Sequence, residues 1–395
     1  MNTDVPGRTD SLQFVLKATA RCNLNCSYCY VFNKADQSWR TRSRVMSDDV
    51  FVATMRRIRR HCEASRQPIV RVMFHGGEPL LAGVARFRRW LTMLHAELDG
   101  VARISLAVQT NAVLVDDRWA ALFEEFDVEV GISLDGPKEV NDRFRVDHVG
   151  RGSYDAIVAA MDVLRARGVR FSILSVIQFG ADGLDTYRHF RSLQPGTINF
   201  LFPDQTHADI AAVRAEHGPH PVADFLLPVI DEWCRVGADG PDVPLVRNIA
   251  RIVLGGETRS DMFGNPPLGF VFVETDGEIE GLDVLRVDGQ GLASTGLDVH
   301  RNDFVEIDAV SPFHAQAIFD GVPLPAGCRG CPEEQTCAGG YLPHRWSPTR
   351  GFDNPSAWCA DILLLFARVR ERFGVDAHET GLRQTVLREM VAATS

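Results

Sequence analysis

The chain of 395 residues has no apolar run approaching the roughly 20 residues that a membrane-spanning helix needs. Its longest apolar stretch near the C-terminus, residues 362–367, is a fraction of that length. Residues 1–10 are polar and contain no apolar signal core. There is no basic excess either: 42 Lys and Arg stand against 52 Asp and Glu, a net charge of −10. A protein whose main task is to coat nucleic acid would normally carry the opposite balance. Repeats and low-complexity tracts are also missing. These absences lead us to expect a cytoplasmic protein with no membrane or nucleic-acid partner. The remaining composition, 45% hydrophobic and 24% charged, is that of an ordinary folded chain. At about 100–200 residues per domain, its length predicts two or three domains.

Cysteine is abundant. Seven of the nine cysteines fall in two clusters, and only Cys62 and Cys234 stand alone. Both lie in helix-like stretches, where a lone cysteine reads as a small buried hydrophobe. Clustered cysteines in a long cytosolic chain point to metal rather than to disulfides.

The first 205 residues alternate short apolar runs with longer amphipathic ones. Strands are predicted near 14–16, 70–74, 104–108, 128–134, 171–177 and 198–202. Helices are predicted at 47–62, 84–98, 116–126, 153–167 and 184–193. Such alternation means a parallel sheet covered by helical crossovers. Six units make an open sheet or an incomplete barrel, not the closed eightfold form. Residues 206–267 read as a mostly helical bridge. Residues 270–273 followed by Asp276-Gly277 read as a hairpin. Residues 323–355 are rich in Cys, Gly and Pro, with little periodicity, and 361–373 as a helix. The expected domains are therefore 1–205, 206–267, 268–375 and a helical tail over 376–395.

The first cluster, Cys22-Asn-Leu-Asn-Cys26-Ser-Tyr-Cys29, has the spacing C-x3-C-x2-C and follows the first strand. It therefore sits at the carboxyl end of the sheet, where α/β folds place their sites. Three thiolates leave a four-ligand site incomplete. Either a distant residue such as His75 closes a zinc site, or an iron–sulfur cluster keeps one iron open. The second cluster, Cys328, Cys331, Cys337 and Cys359, offers four soft ligands that suit zinc or iron–sulfur equally.

The first segment resembles the radical S-adenosylmethionine (radical SAM) superfamily, whose signature is C-x3-C-x2-C with an aromatic, here Tyr28, before the last cysteine. The resemblance continues through Gly76-Gly77-Glu78-Pro79 after the second strand and Gln109-Thr110-Asn111 after the third. It extends to Ser133-Leu134-Asp135-Gly136-Pro137 after the fourth and on to Arg145. It implies a partial (β/α)6 barrel and a [4Fe–4S] cluster on Cys22, Cys26 and Cys29, chelated by SAM. Cleavage of SAM would then supply a 5′-deoxyadenosyl radical. The Gly76–Pro79 motif would bind the methionine amino group, with Ser133 and Arg145 at its carboxylate. Relatives carry glycine where this chain has Ala112, so a different local turn is expected there.

The Cys-rich segment resembles the SPASM extension of radical SAM peptide-modifying enzymes, which implies an auxiliary [4Fe–4S] cluster on the four later cysteines. Relatives usually hold two such clusters. Leu282 and Tyr341 occupy positions of missing ligands, so one is expected here. Asp283 survives beside the lost cysteine. In sulfatase-maturing relatives the matching Asp is a general base; Asp204, after the sixth strand, is a further candidate for substrate contact. The whole chain most resembles the FxsB-type branch. Its members and neighbours join an aromatic side chain to the β-carbon of a residue two positions away, making a cyclophane in a ribosomally made peptide. The resemblance implies a precursor peptide as substrate and a reducing partner such as flavodoxin or ferredoxin. Only about eleven residues precede the first strand, so a leader peptide is expected to bind elsewhere. The alternatives are sulfatase-maturase-like oxidation of Ser or Cys to formylglycine, and a non-catalytic zinc scaffold.

Overall fold

The computed structural model describes residues 11–377 and 379–381. In chain order its elements run β1 (Gln13–Thr19), α1 (Asp48–Ser65), β2 (Ile69–Gly76), α2 (Val84–Leu98), β3 (Arg103–Thr110), α3 (Asp117–Glu125), β4 (Glu129–Ser133), α4 (Lys138–Phe144), α5 (Tyr154–Ala166) and β5 (Phe171–Val176). They continue with α6 (Gly183–Ser192), β6 (Thr197–Leu201), α7 (Ile210–His217), α8 (Pro221–Val236), α9 (Pro244–Val253), β7 (Phe270–Val273), β8 (Glu278–Glu280), β9 (Ser294–Asp298), α10 (Ile307–Val310), α11 (Pro312–Ala315) and α12 (Cys359–Phe373). The expected helical tail falls largely on residues 382–395, outside those described.

The chain forms two compact units. One comprises the chain to Leu174 together with Gly269–Asp320; the other comprises Ser175–Leu268 and Gly321 onward. The grouping cuts across the domain limits expected from the sequence. The reason is strand pairing: β7 runs parallel to β1, with Phe14 opposite Val271 and Leu16 opposite Val273. The hairpin thereby extends the first unit's sheet instead of starting a separate domain.

In the first unit the strand order is β5-β4-β3-β2-β1-β7-β8-β9. The strands from β5 to β7 are parallel, and β8 and β9 are added antiparallel. Parallel strands are buried on both faces, which explains the near-continuous apolar run of β1. The helices begin as their sequences dictate. In α1, Ser47 accepts from the Val50 amide and Asp48 and Asp49 fill the first turn, where the helix dipole favours negative charge. Its buried face, Phe51, Met55, Ile58 and Cys62, follows the helical repeat. Stacked against it is an aromatic core of Phe51, Phe74, Phe87 and Trp90. Phe51 and Trp90 lie 4.9 Å apart and nearly parallel.

In the second unit, α8 and α12 pack together, with α6 against α8 and α9 against α12. The approach of α6 to α8 requires Gly183, because a Cβ there would lie 1.9 Å from the Phe225 carbonyl oxygen. The Asp361 side chain, at the start of α12, accepts from the Val222 and Ala223 amides and caps α8. Residues 321–358 are irregular, as their Gly and Pro content implied. Cys62 is buried as expected, whereas Cys234 in α8 is only half-buried.

Candidate active site

The loop after β1 carries Cys22, Cys26 and Cys29, all half-buried. Two things hold it in place. The Asn25 and Ser27 amides bond the carbonyls of Val146 and Phe144 at 2.7 and 3.1 Å. On its other side the Gly77 and Glu78 amides bond the carbonyls of Thr19 and Arg21 at 2.9 and 2.8 Å. Here the two glycines of the β2 loop acquire a reason beyond ligand approach. A Cβ on Gly76 would lie 2.3 Å from the Thr19 carbonyl oxygen, and one on Gly77 2.3 Å from that of Arg21. Only glycine allows the two loops to meet.

The three thiols are near enough to raise one another's pKa, but burial is the larger cause and pushes Cys22 up to about 12. As free thiols they are held protonated, so a metal group must displace the protons to bind. A tetrahedral zinc, with Zn–S of about 2.3 Å, would draw its sulfurs to roughly 3.8 Å of one another. Among the described residues no three His, Cys, Asp or Glu side chains gather around one such point. His75 is not a partner of this loop. Its Nδ1 lies 3.3 Å from Lys17 Nζ, and burial followed by that cation lowers it to about 3.

The remaining SAM-motif residues surround the loop. Tyr28 Oη donates to Asp135 and accepts from Arg145 at 2.8 Å. Arg145 also lies 4.0 Å from the Asp135 carboxylate. Its Nε is buried without a partner, a donor left for a carboxylate to claim. Ser133 Oγ accepts from Gln109 at 2.9 Å. Asn111 Nδ2 reaches Asn23 at 2.8 Å and the Cys22 sulfur at 3.7 Å. Glu78, beside Pro79, is fully buried, and its carboxylate accepts from Leu80, Thr110 and Asn111. Burial raises it to about 7 despite those donors. It thus ties the β2 and β3 loops together, which the sequence reading, with an ammonium in mind, did not foresee. Ala112 adopts a left-handed conformation (φ +61°), one that glycine takes more readily.

Asp283 is 1% exposed, in the turn after β8. Its Oδ2 accepts from Lys17 on β1 and from Tyr30, the latter at 2.8 Å. Burial is the largest single influence and would raise this carboxyl; Lys17, His75 and Arg286 together outweigh it and hold the group below the usual range. The sequence reading missed Lys17 and Tyr30. A lysine between Leu16 and Ala18 on an apolar strand was the available signal, because a buried ammonium demands a partner. Leu282 is buried in the first unit and Tyr341 in the second. Asp204 follows β6 in the second unit and is half-buried.

The second unit holds the four later cysteines. Cys328 and Cys337 are buried, Cys331 and Cys359 half-buried. Burial is the main cause that raises Cys337, to about 12, and after it Cys359 and Cys328 add to the rise. Cys331 in turn raises Cys359 and Cys328. Each of the four thus lies within electrostatic reach of another across 32 positions, although no three of them gather around one point closely enough to hold a single metal ion.

Comparison with known proteins agrees with this geometry. Residues 16–190 match the family model of the Radical SAM superfamily. It is 28% identical over 233 residues to the serine-type anaerobic sulfatase-maturating enzyme of Bacteroides thetaiotaomicron, covering 55% of each chain. It is 26% identical over 333 residues to the cysteine-type anaerobic sulfatase-maturating enzyme of Clostridium perfringens, covering 82% of this chain and 86% of that one. The solved structure of anSMEcpe with bound AdoMet superposes with a TM-score of 0.77 at 21% identity, over 93% of this chain and 99% of that one. A further anSMEcpe structure holds AdoMet and the Kp18Cys peptide. The fold is the α/β radical SAM fold, with a Cys-rich C-terminal region. No helix among the described residues is long and apolar enough to cross a membrane.

Proposed function

We propose that this protein is a radical SAM maturase that removes hydrogen from a side chain of a peptide. When bound, a [4Fe–4S] cluster on Cys22, Cys26 and Cys29 with SAM supplies a 5′-deoxyadenosyl radical, and a second cluster on the four later cysteines supplies an electron acceptor. The residues present suit these groups: three thiols on a loop with no fourth ligand, the free Nε of Arg145 for the methionine carboxylate, and four thiols in the second unit. Tyr28 and Asp135 hold Arg145 in place.

The observation that carries the reading is the buried Asp283, held by Lys17 and Tyr30, in the same unit as the three-cysteine loop. Loss of a hydrogen atom from a peptide carbon must be followed by loss of a proton and an electron if a new bond is to form. Lys17 and Tyr30 both engage Oδ2, so Oδ1 is the oxygen that takes the proton. A carboxylate kept ionised accepts it without first having to lose one.

Two products share this balance of atoms. A carbon–carbon link from a β-carbon to an aromatic ring, a cyclophane, loses two hydrogens. Oxidation of Ser to formylglycine also loses two, one from the β-carbon and one from the hydroxyl; Cys loses one from the β-carbon and one from the thiol, and water then replaces the sulfur as hydrogen sulfide. The first is favoured by Leu282 and Tyr341, which stand where maturases of sulfatases carry further cysteines. The second is favoured by the similarity to sulfatase-maturating enzymes over most of the chain. Substrate binding, a reducing protein partner and a cytoplasmic site of action belong to the same proposal. The test is anaerobic reconstitution followed by reduction with SAM. About eight iron per chain and release of 5′-deoxyadenosine are expected, each cluster holding four irons. No iron, and SAM left intact, would overturn the proposal. Peptide assays then separate the products: an aldehyde-reactive hydrazide labels formylglycine and leaves a cyclophane untouched.

A further inference from the structure

Arg345 is a guanidinium at 1% exposure that makes no ion pair with a carboxylate among the described residues. Its Nε donates to the Gly340 carbonyl at 2.9 Å. One terminal nitrogen reaches the Pro323 carbonyl at 2.8 Å. The other reaches the carbonyls of Ala338 and Gly340 and Asn265 Oδ1, at 2.9, 2.5 and 2.7 Å. Every one of these acceptors is neutral. The other buried arginines differ. Arg42 and Arg286 face Glu280, Arg145 faces Asp135, and Arg370 faces Glu333. A buried charge with no opposite charge is strongly unfavourable and does not persist without cause.

Burial works against the charge of Arg345, and the ionisable groups that oppose that effect are Cys337 and Cys328. The chain is shaped to put it there. Ala338, Gly339 and Gly340 are consecutive left-handed residues, with φ of +52°, +90° and +72°. That run turns the carbonyls of residues 338 and 340 onto the guanidinium, directly after Cys337. A Cβ on Gly339 would lie 3.0 Å from Arg345 Cζ and 2.7 Å from the Pro325 ring.

We propose that Arg345 is the built-in counter-charge of the four-cysteine site, a positioning residue that stabilises the negative charge the site carries with its metal group bound. The proposal rests on the reading that these cysteines hold a [4Fe–4S] cluster. Thiolate-bound clusters are anionic and gain a further charge on reduction, and nearby charge and hydrogen bonds set their potential. A fixed cation favours the reduced form.

The test is a redox titration, followed by electron paramagnetic resonance, of the full chain with both clusters reconstituted. The signal that changes on adding SAM belongs to the three-cysteine loop, and the other to the four-cysteine site. In Arg345→Gln the reduced-to-oxidised ratio of the SAM-insensitive cluster is expected to fall at least tenfold at a fixed potential, about 59 mV for a one-electron couple. Asn265→Asp sets a carboxylate beside the intact guanidinium and should shift the ratio in the same direction. Arg345→Lys keeps the charge and should stay near the wild type. The SAM-sensitive cluster should not move. Unchanged midpoints in both Arg345→Gln and Asn265→Asp, with full iron content, would overturn the proposal. If Arg345→Gln fails to hold its second metal, Asn265→Asp decides. If the chain binds about four irons and one zinc, the cluster reading fails on its own account, since one such cluster holds four irons. Competition with a chelator then tests the counter-charge: zinc bound tenfold more weakly in both variants supports it, and equal affinity overturns it.

Discussion

The two cysteine sites differ less in their sulfurs than in the charges around them. The three-cysteine loop sits among groups of both signs: Arg145, Asp135, Glu78 and Lys17 all bear on its thiols. Its ligand set is incomplete, and Arg145 keeps a buried donor free. At the four-cysteine site the charges that bear on the thiols are Arg345, held by backbone carbonyls, Arg214 on Cys359 and Glu334 on Cys328. Three soft ligands against four separate the sites in sequence. Buried carboxylates beside the first, and a guanidinium held by neutral acceptors beside the second, separate them in the structure.

The sharpest way to break this comparison is to remove one cysteine from each. Cys26→Ala should bring 5′-deoxyadenosine release down to background. Cys337→Ala should remove about four irons, one cluster's worth, and leave SAM cleavage in place. Equal loss of cleavage in both variants, measured by chromatography of the reduced reaction, would erase the distinction. A smaller effect is expected at Asp283. In Asp283→Asn, product formed per 5′-deoxyadenosine should fall roughly 100-fold, the low end of what a positioned acid–base group contributes. Mass spectrometry of the peptide checks this, and an unchanged ratio would remove Asp283 from the reaction.

Gly339→Ala should act on the second site alone. The new Cβ meets Pro325 and Arg345 at a residue with φ +90°. A loss of about 2–4 kcal/mol in denaturant stability is expected, from left-handed strain plus overpacking, together with loss of the second metal. The smallest effect is at Glu78. Burial raises its folded pKa from 4.5 to about 7. The stability from its neutral form is therefore fully present below about pH 4.5 and is lost as pH rises through about 7. Relative to wild type, Glu78→Gln should become more stable over that interval, by up to about 3 kcal/mol, and change little above it. Melting temperatures of the metal-free protein from pH 4 to 8 would show this. A constant difference across the range would mean that folding leaves the Glu78 pKa unshifted.

Much of the fold was legible. The alternation from β1 to β6 appears in the structure at nearly the positions read from the sequence, because β1 is buried almost throughout and leaves an apolar run, while β2, β4, β5 and β6 bury every second residue. Asp276-Gly277 announced the β7–β8 hairpin, and Gly277 has the positive φ (+98°) such a turn requires. The union of that hairpin with β1 was not legible. Nothing local in Phe270–Val273 says which strand it pairs with, some 250 residues away in sequence. Likewise Cys22, Cys26 and Cys29 announced themselves by spacing, but the lysine opposite Asp283 did not.

By itself the sequence determined the number and grouping of soft ligands, the β/α order and the positions where glycine is indispensable. These are properties of residue type and short spacing, and they need no partner distant in the chain. The tertiary structure alone decided what each charge faces. It set Lys17 and Tyr30 on Asp283, closed Glu78 onto the β3 loop, paired His75 with Lys17, and left Arg345 among neutral acceptors. Electrostatic energy depends on distance and burial, and neither exists until distant segments of the chain have been brought together.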